Sequence, residues 1–323
     1  MSNLLLLALV ALGCGGGAPR PGKVVKKVGK EVKGAVQEVA KGAKKVIQDE
    51  GGDPKGTIKV ELDTPKGKRF AYVHVPKDLD PTKPAPLIFG FHGGTGSSTA
   101  AKVHSKVWRG QFDKEAILVF PNGQDTNPDE SAWVSRDFQD RSDVDIVLQI
   151  LEEAKKTWNI DENRVYSAGF SNGGLMTTML ACHAPETFAG FAVFSNTVHK
   201  HTAAACKPSV HKPVLYVIGT ADDFWDGRTF SLSAMDSLEW WRGQLGCTKP
   251  TKTDVPEGPE DNMSVERWTF APCSNAAALE FLKIEGGHHI WPGTDLPDRN
   301  TSRCTDIDGG TELVRFFEKY AGL

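Results

Sequence analysis

The chain has 323 residues, 39% hydrophobic and 24% charged, which is ordinary for a soluble globular protein and enough to bury one large core or two small ones. A formal charge of -3 excludes a nucleic-acid or anionic-membrane surface for the main body. The 9 histidines are scattered and the 6 cysteines form no C-x-x-C pair, so neither a metal site nor a cofactor is expected.

The N-terminus reads as an export signal. Leu4 to Leu12 is apolar, too short to span a bilayer, and ends in small residues before Cys14. Ala11-Leu12-Gly13-Cys14 resembles a bacterial lipobox, which would make Cys14 an acylated first residue and a membrane tether; the alternative is simple cleavage nearby. Either route leads outside the cytoplasm, to an extracellular or outer-membrane-anchored location. From Lys23 to Ile47 apolar residues recur at Val24, Val28, Val32, Val36, Val39, Ala43 and Val46, the spacing of an amphipathic helix. Its Lys-rich face suits a solvated spacer, or contact with anionic lipid. Gly51-Gly52-Asp53-Pro54-Lys55-Gly56 breaks that helix. The expected organisation is therefore a signal over 1–14, a helical stalk and linker over 15–56, and a catalytic domain over 57–323.

The catalytic domain opens with an antiparallel hairpin, Thr57 to Asp63 and Arg69 to Val75. Strands and helices then alternate. Leu87 to Phe91 and Ile117 to Phe120 read as strands, and Asp143 to Trp158 as a helix with an apolar face at Leu148, Ile150, Leu151 and Ala154. Further strands are expected at Val165 to Phe170, Phe188 to Phe194, Pro213 to Ile218 and Leu279 to Ile284, with a last helix at Glu312 to Tyr320. This order predicts an α/β protein: a doubly wound, mostly parallel sheet with an N-terminal antiparallel hairpin, the α/β-hydrolase fold.

Chemistry is carried by the loops that follow the strands. Gly169-Phe170-Ser171-Asn172-Gly173 sits between a strand and a helix and has the G-x-S-x-G form of a nucleophile elbow, which makes Ser171 a candidate nucleophile. The acid and the histidine should follow in that order, each after a strand. Asp222 lies in Thr220-Ala221-Asp222-Asp223, directly after the Pro213 strand. His289 lies in Gly286-Gly287-His288-His289 after the Leu279 strand, with His288 beside it as the alternative. In such a triad His289 takes the serine proton, and Asp222 holds the ring in the required tautomer. Asn172 would supply one oxyanion N–H. The glycine-rich loop His92-Gly93-Gly94-Thr95-Gly96 would supply the other, from Gly94 or, in reserve, Thr95. His92 is read as structural.

Phe89-Gly90-Phe91-His92-Gly93, Ala168-Gly169-Phe170-Ser171-Asn172-Gly173-Gly174, Gly219-Thr220-Ala221-Asp222 and His289-Ile290-Trp291-Pro292-Gly293 together resemble the secreted polyhydroxybutyrate depolymerase-like and feruloyl esterase-like esterases, over residues 57–323. The resemblance implies the same Ser171, Asp222 and His289. It implies disulfides Cys182 with Cys206 and Cys247 with Cys273, leaving Cys304 free, and it suggests Trp291 as a wall of the acyl pocket. Trp133 is a candidate for the opposite wall, whereas Trp240 and Trp241, in a helical run, read as half core.

Three functions compete at this point. The first is a serine esterase releasing feruloyl or acetyl groups from plant polysaccharide such as xylan. The second is a depolymerase of polyhydroxybutyrate or another polyester, less favoured because no binding module follows the catalytic domain. The third is a surface lipoprotein that uses the fold only to bind. A lipase lid is not expected, because the segment between Phe194 and Lys212 is short and polar. The expected partner is an ester substrate, with the enzyme acting as a monomer.

Overall fold

The computed structural model describes residues 46–48, 57–64, 67–94, 116–127, 130–133, 137–258, 261–293 and 304–323. The signal, Cys14 and most of the expected stalk lie outside the described residues. Among the described residues one large sheet carries eleven strands: β1 (Val46–Gln48), β2 (Thr57–Thr64), β3 (Gly67–His74), β4 (Ala85–Phe91), β5 (Ile117–Pro121), β8 (Ile160–Phe170), β9 (Gly190–Phe194), β10 (Val214–Gly219), β11 (Pro250–Asp254), β12 (Ser264–Phe270) and β13 (Leu279–Glu285). A separate two-stranded ribbon pairs β6 (Gln124–Asn127) with β7 (Glu130–Ala132). The helices are α1 (Ser142–Thr157), α2 (Asn172–His183), α3 (Lys200–Ala205), α4 (Ala234–Gln244) and α5 (Gly309–Ala321).

The sheet order is β1-β2-β3-β5-β4-β8-β9-β10-β13-β12-β11. The six central strands β5, β4, β8, β9, β10 and β13 pair in parallel, and both flanks are antiparallel. Every residue of β4, β5, β9 and β10 is buried, because helices cover both faces; this is why these strands read as unbroken apolar runs. Successive side chains serve two cores. Leu87, Phe89 and Phe91 join a cluster with Ile150, Met179, Leu238 and Trp241 from α1, α2 and α4, whereas Ile88, Tyr166, Leu215 and Leu282 pack with Phe316 and Phe317 of α5. That arrangement is the α/β-hydrolase fold, a doubly wound sheet whose loops at the carboxyl ends of the parallel strands converge on one edge. Trp241 is buried and Trp240 half-buried, as their helical run implied.

Two departures from the sequence reading are instructive. Val46 to Gln48, read as the end of the helical stalk, instead forms β1 against the outer edge of β2. The adjacent β-branched pair Val46-Ile47 favours extended backbone, and the edge of β2 offers it hydrogen-bond partners. At the far flank β12 and β11 extend the sheet antiparallel from β13, and no strand was expected there. Their alternation is masked: β11 is largely exposed, and β12 places only Val265 and Phe270 among its fully buried positions.

Two disulfides are formed, Cys182 to Cys206 and Cys247 to Cys273, while Cys304 is free and buried. The first ties the end of α2 to the end of α3; the second ties the end of α4 to the turn before β13. Burial raises the Cys304 thiol above its ordinary value, which keeps it protonated and unreactive.

A buried ion network fastens α5 to the sheet. Glu280 on β13 is fully enclosed and is bonded by Arg315, by Arg267 at 3.1 Å and by the Tyr320 hydroxyl at 2.8 Å; Glu312 takes both Arg267 nitrogens at 2.8 and 2.9 Å. Burial alone would raise the Glu280 carboxyl, but the hydrogen bond and charge of Arg315 outweigh it and hold the group below the usual glutamate range. Glu312 is lowered in the same way, burial being outweighed by Arg267 and Arg315. A carboxylate with a depressed folded-state pKa stabilises the fold above its unfolded value, and that contribution is lost as pH falls through the folded one. The melting temperature should therefore drop as pH falls through and below the ordinary glutamate range, and Arg315→Met, which leaves Glu280 with Arg267 and Tyr320 but removes its shortest charged partner, should cost about 1.5–3 kcal/mol at neutral pH. Thermal melts of both proteins across pH check this; a variant as stable as the parent would contradict it.

Candidate active site

The site is built around a backbone that has no room to spare. At the end of β8 Ser171 adopts φ 54 and ψ -121, a conformation that a non-glycine residue holds only when its surroundings enforce it. Its N–H donates to the Phe194 carbonyl at 2.9 Å, and its own carbonyl accepts from Gly174 N–H at 2.9 Å. A Cβ on Gly169 would lie 2.1 Å from the Gly173 carbonyl oxygen, and one on Gly173 would lie 2.1 Å from the Phe91 carbonyl oxygen. Side chains are thus excluded at both positions by neighbouring backbone, and the turn between β8 and α2 is as tight as the G-x-S-x-G spacing implies.

The loops after β10 and β13 bring the other two groups to the serine. His289 Nε2 lies 2.9 Å from Ser171 Oγ, and His289 Nδ1 lies 2.8 Å from Asp222 Oδ2. A carboxylate can only accept, so Nδ1 carries the proton and Nε2 is left to accept from the serine hydroxyl. The Asp222 side chain is fully enclosed, and its other oxygen accepts from Phe224 N–H at 2.9 Å. Around the imidazole stand two aromatic rings, Phe170 at 4.9 Å and Phe224 at 5.4 Å between centroids. His288, by contrast, is exposed.

Across from the serine, a Cβ built on Gly93 would touch Ser171 Cβ at 3.3 Å, and one on Gly94 would touch Asn172 Cβ at 3.4 Å. The loop after β4 therefore passes directly beside the elbow. Asn172 N–H opens α2, where helix N–H groups have no partner within the helix and the macrodipole favours negative charge. Thr95, the reserve donor, lies outside the described residues.

Two side chains lock that loop. His92 is fully buried; its Nε2 accepts from Gly123 N–H at 2.9 Å, which leaves Nδ1 to donate to the Gly93 carbonyl at 2.7 Å. Trp133 donates its indole N–H to the His92 carbonyl at 3.0 Å and its backbone N–H to Asn172 Oδ1 at 2.7 Å. With 2% exposure and Phe91 and His92 against its ring, Trp133 is a brace beneath the site and not an open pocket wall. The same correction applies to Trp291. Its ring is 3% exposed and stacks on Phe194 at 4.0 Å, and the start of α5 presses so close that a Cβ on Gly309 would reach the indole nitrogen at 2.6 Å. The backbone turns at His288 to Ile290, so two residues past His289 the chain has already entered the core. Phe224, which flanks the histidine, had no signal in the sequence beyond its place two residues after Asp222.

Among the described residues one group carries metal-type ligand atoms close together, Asp261, Cys304 and Asp306, within 4.8 Å of one another. Asp261 is used by the loop itself, accepting from Thr305 and from Met263 N–H, whereas Asp306 accepts from Gly258 N–H through Oδ1 and keeps a buried Oδ2 with no hydrogen-bond partner.

A serine held in a strained elbow, bonded to a histidine that is bonded to a buried carboxylate, on this sheet order, defines the class: a serine hydrolase of the α/β-hydrolase fold. A profile of the prolyl oligopeptidase family matches residues 112–209, the segment with the elbow. A probable feruloyl esterase C of Aspergillus flavus is 30% identical over 227 residues, 68% of this chain and 75% of that one, and the chain belongs to this feruloyl esterase family. The bifunctional acetylxylan esterase/xylanase of Neocallimastix patriciarum is 29% identical over 233 residues; that match covers 71% of this chain but spans only 32% of the larger enzyme. Among solved structures, the acetyl xylan esterase of Aspergillus awamori superposes with a TM-score of 0.54 over 84% of this chain and 98% of its own, at 15% identity, a likeness of fold.

Two outcomes follow from the geometry. Gly173→Ala should displace the elbow and lower kcat by at least about a hundredfold, since small misplacements at a reacting centre cost that much; an active Gly173→Ala enzyme would contradict the packing described. Trp291→Ala should destabilise the protein by about 3–5 kcal/mol, the cost of truncating a buried Trp. Denaturant unfolding measures this, and an unchanged midpoint would restore Trp291 to the surface of a pocket.

Proposed function

We propose that this protein is a carboxylic ester hydrolase that releases feruloyl or acetyl groups from xylan-type polysaccharide through an acyl-enzyme. The observation that carries the reading is the hydrogen-bonded chain from Ser171 Oγ through His289 to the enclosed Asp222. Its membership among feruloyl esterases and its likeness to an acetylxylan esterase support the substrate class.

In this reading Ser171 Oγ attacks the ester carbonyl as His289 Nε2 takes its proton. Asp222 stabilises the imidazolium without being protonated. The tetrahedral oxyanion is received by the N–H of Asn172 and by one from the Gly94 loop, both preorganised by the contacts of Asn172 and His92. His289 then returns its proton to the departing alcohol oxygen, and water repeats the sequence on the acyl-enzyme. The two disulfides suit an oxidising compartment and so an exported enzyme.

Hydrolysis of methyl ferulate, p-nitrophenyl acetate and a hydroxybutyrate oligomer by the full-length protein tests the reading. Ferulate or acetate release is expected, and Ser171→Ala should reduce it by roughly a millionfold, to near background. A clear preference for the hydroxybutyrate oligomer would move the assignment to a polyester depolymerase, and retained activity in Ser171→Ala would remove the mechanism.

A further inference from the structure

Beyond the reacting groups, the loop from Asp222 to Ser233 between β10 and α4 builds a second feature. One turn past the acid, where Trp225 N–H returns to the Asp222 carbonyl, the chain folds back on itself and lines an open cleft of about 360 Å³ beside the start of α3, a volume in the range of small-molecule sites. Its walls are Lys200, Asp226, Arg228, Thr229, Ser231 and Ser233, with Leu232 the one sizeable apolar side chain among them. Such a lining suits neither an acyl chain, which would find little apolar surface, nor an anion, which would face Asp226 and the adjoining Asp236. Donors, acceptors and hydroxyls in close alternation suit a polyhydroxylated ligand.

Two further observations point the same way. Ser231 is 2% exposed, yet its Oγ has no hydrogen-bond partner, an arrangement that is costly unless a ligand or water completes it. Beside it Phe230 is 45% exposed, among the most exposed large apolar side chains of the described residues. Phe230 is held in place: its carbonyl accepts from Lys200 N–H at 3.0 Å and its ring meets the His199 ring at 5.1 Å. A rigid, exposed aromatic ring next to hydrogen-bonding groups is a platform on which the apolar face of a pyranose can stack.

The position relative to the reacting atoms decides which part of the substrate would lie here. His289 Nε2 must reach the leaving oxygen, so the alcohol half of the ester departs on the histidine side. From the imidazole the surface runs through Phe224, 5.4 Å away, to the Arg228 guanidinium, which lies 4.2 Å above the Phe224 ring. Arg228 then forms part of the cleft wall.

We propose that this cleft is a saccharide subsite that holds the glycan on the leaving-alcohol side of the ester, with Phe230 as its stacking platform and Ser231 as a buried hydrogen-bonding group. The inference rests on the esterase reading for the identity of the glycan, and the probe is xylotetraose without any ester. Calorimetric titration into the Ser171→Ala protein should show binding, weakened roughly tenfold in a Phe230→Ala background and several-fold with Ser231→Ala, as expected for loss of an aromatic anchor or of a buried hydrogen bond. In the protein with Ser171 intact, Phe230→Ala should lower kcat/KM for a feruloylated xylo-oligosaccharide at least fivefold more than for methyl ferulate, through KM. Absence of xylotetraose binding, or binding weakened by neither substitution, overturns the subsite. The two failures are separable: a protein that binds xylotetraose through Phe230 but leaves ferulate and acetate esters intact keeps the subsite and loses the esterase reading.

Discussion

The close approach of three backbones at the elbow is the constraint on which the rest of the structure depends. Gly169, Gly173 and Phe91 belong to β8, α2 and β4, and a single methyl group between them would force these elements apart. Because they cannot separate, Ser171 is held at positive φ, α2 points its first N–H groups into the site, and the loop after β4 lies against Asn172. The strain at Ser171 is borne by the parallel sheet, whose central strands are buried along their length.

Rigidity at that point would be useless if the partner loops were loose, and the structure spends its interior polar groups on preventing this. His92 and Trp133 tie the loop after β4 to the chain beyond β5 and to Asn172. Asp222 is fixed by Phe224 N–H on one oxygen and by His289 on the other. Behind β13, Glu280 of the strand pairs with Arg315 of α5 and Arg267 of β12 pairs with Glu312 of α5, so the strand that delivers His289 is clamped from its far face. Each device is a buried polar group with its partners in place, the condition under which such groups specify one arrangement.

Most of the fold could be read from periodicity because the central strands are buried on both faces and therefore unbroken in apolar character. The same logic failed at the flanks. β11 and β12 bury too few residues to show alternation, and Val46 to Gln48 continue a helical spacing while pairing as a strand, since short segments take the conformation of the edge they meet. Trp291, suggested as a pocket wall by its place two residues after His289, and Trp133, a candidate for the opposite wall, are both buried and serve as braces.

The order of Ser171, Asp222 and His289, each after a strand and the first flanked by glycines, was written in the sequence by itself, because strand-to-loop transitions and tight turns leave local composition behind. So were the α/β class and the helices with strong apolar faces. Only tertiary structure decided that the three side chains meet at 2.8 and 2.9 Å, that Phe170 and Phe224 enclose the imidazole, and that Phe230 and Ser231 stand beside a cleft. Those relations join residues as many as 118 positions apart, and contact across such distances is set by how strands order in the sheet, for which no local pattern exists.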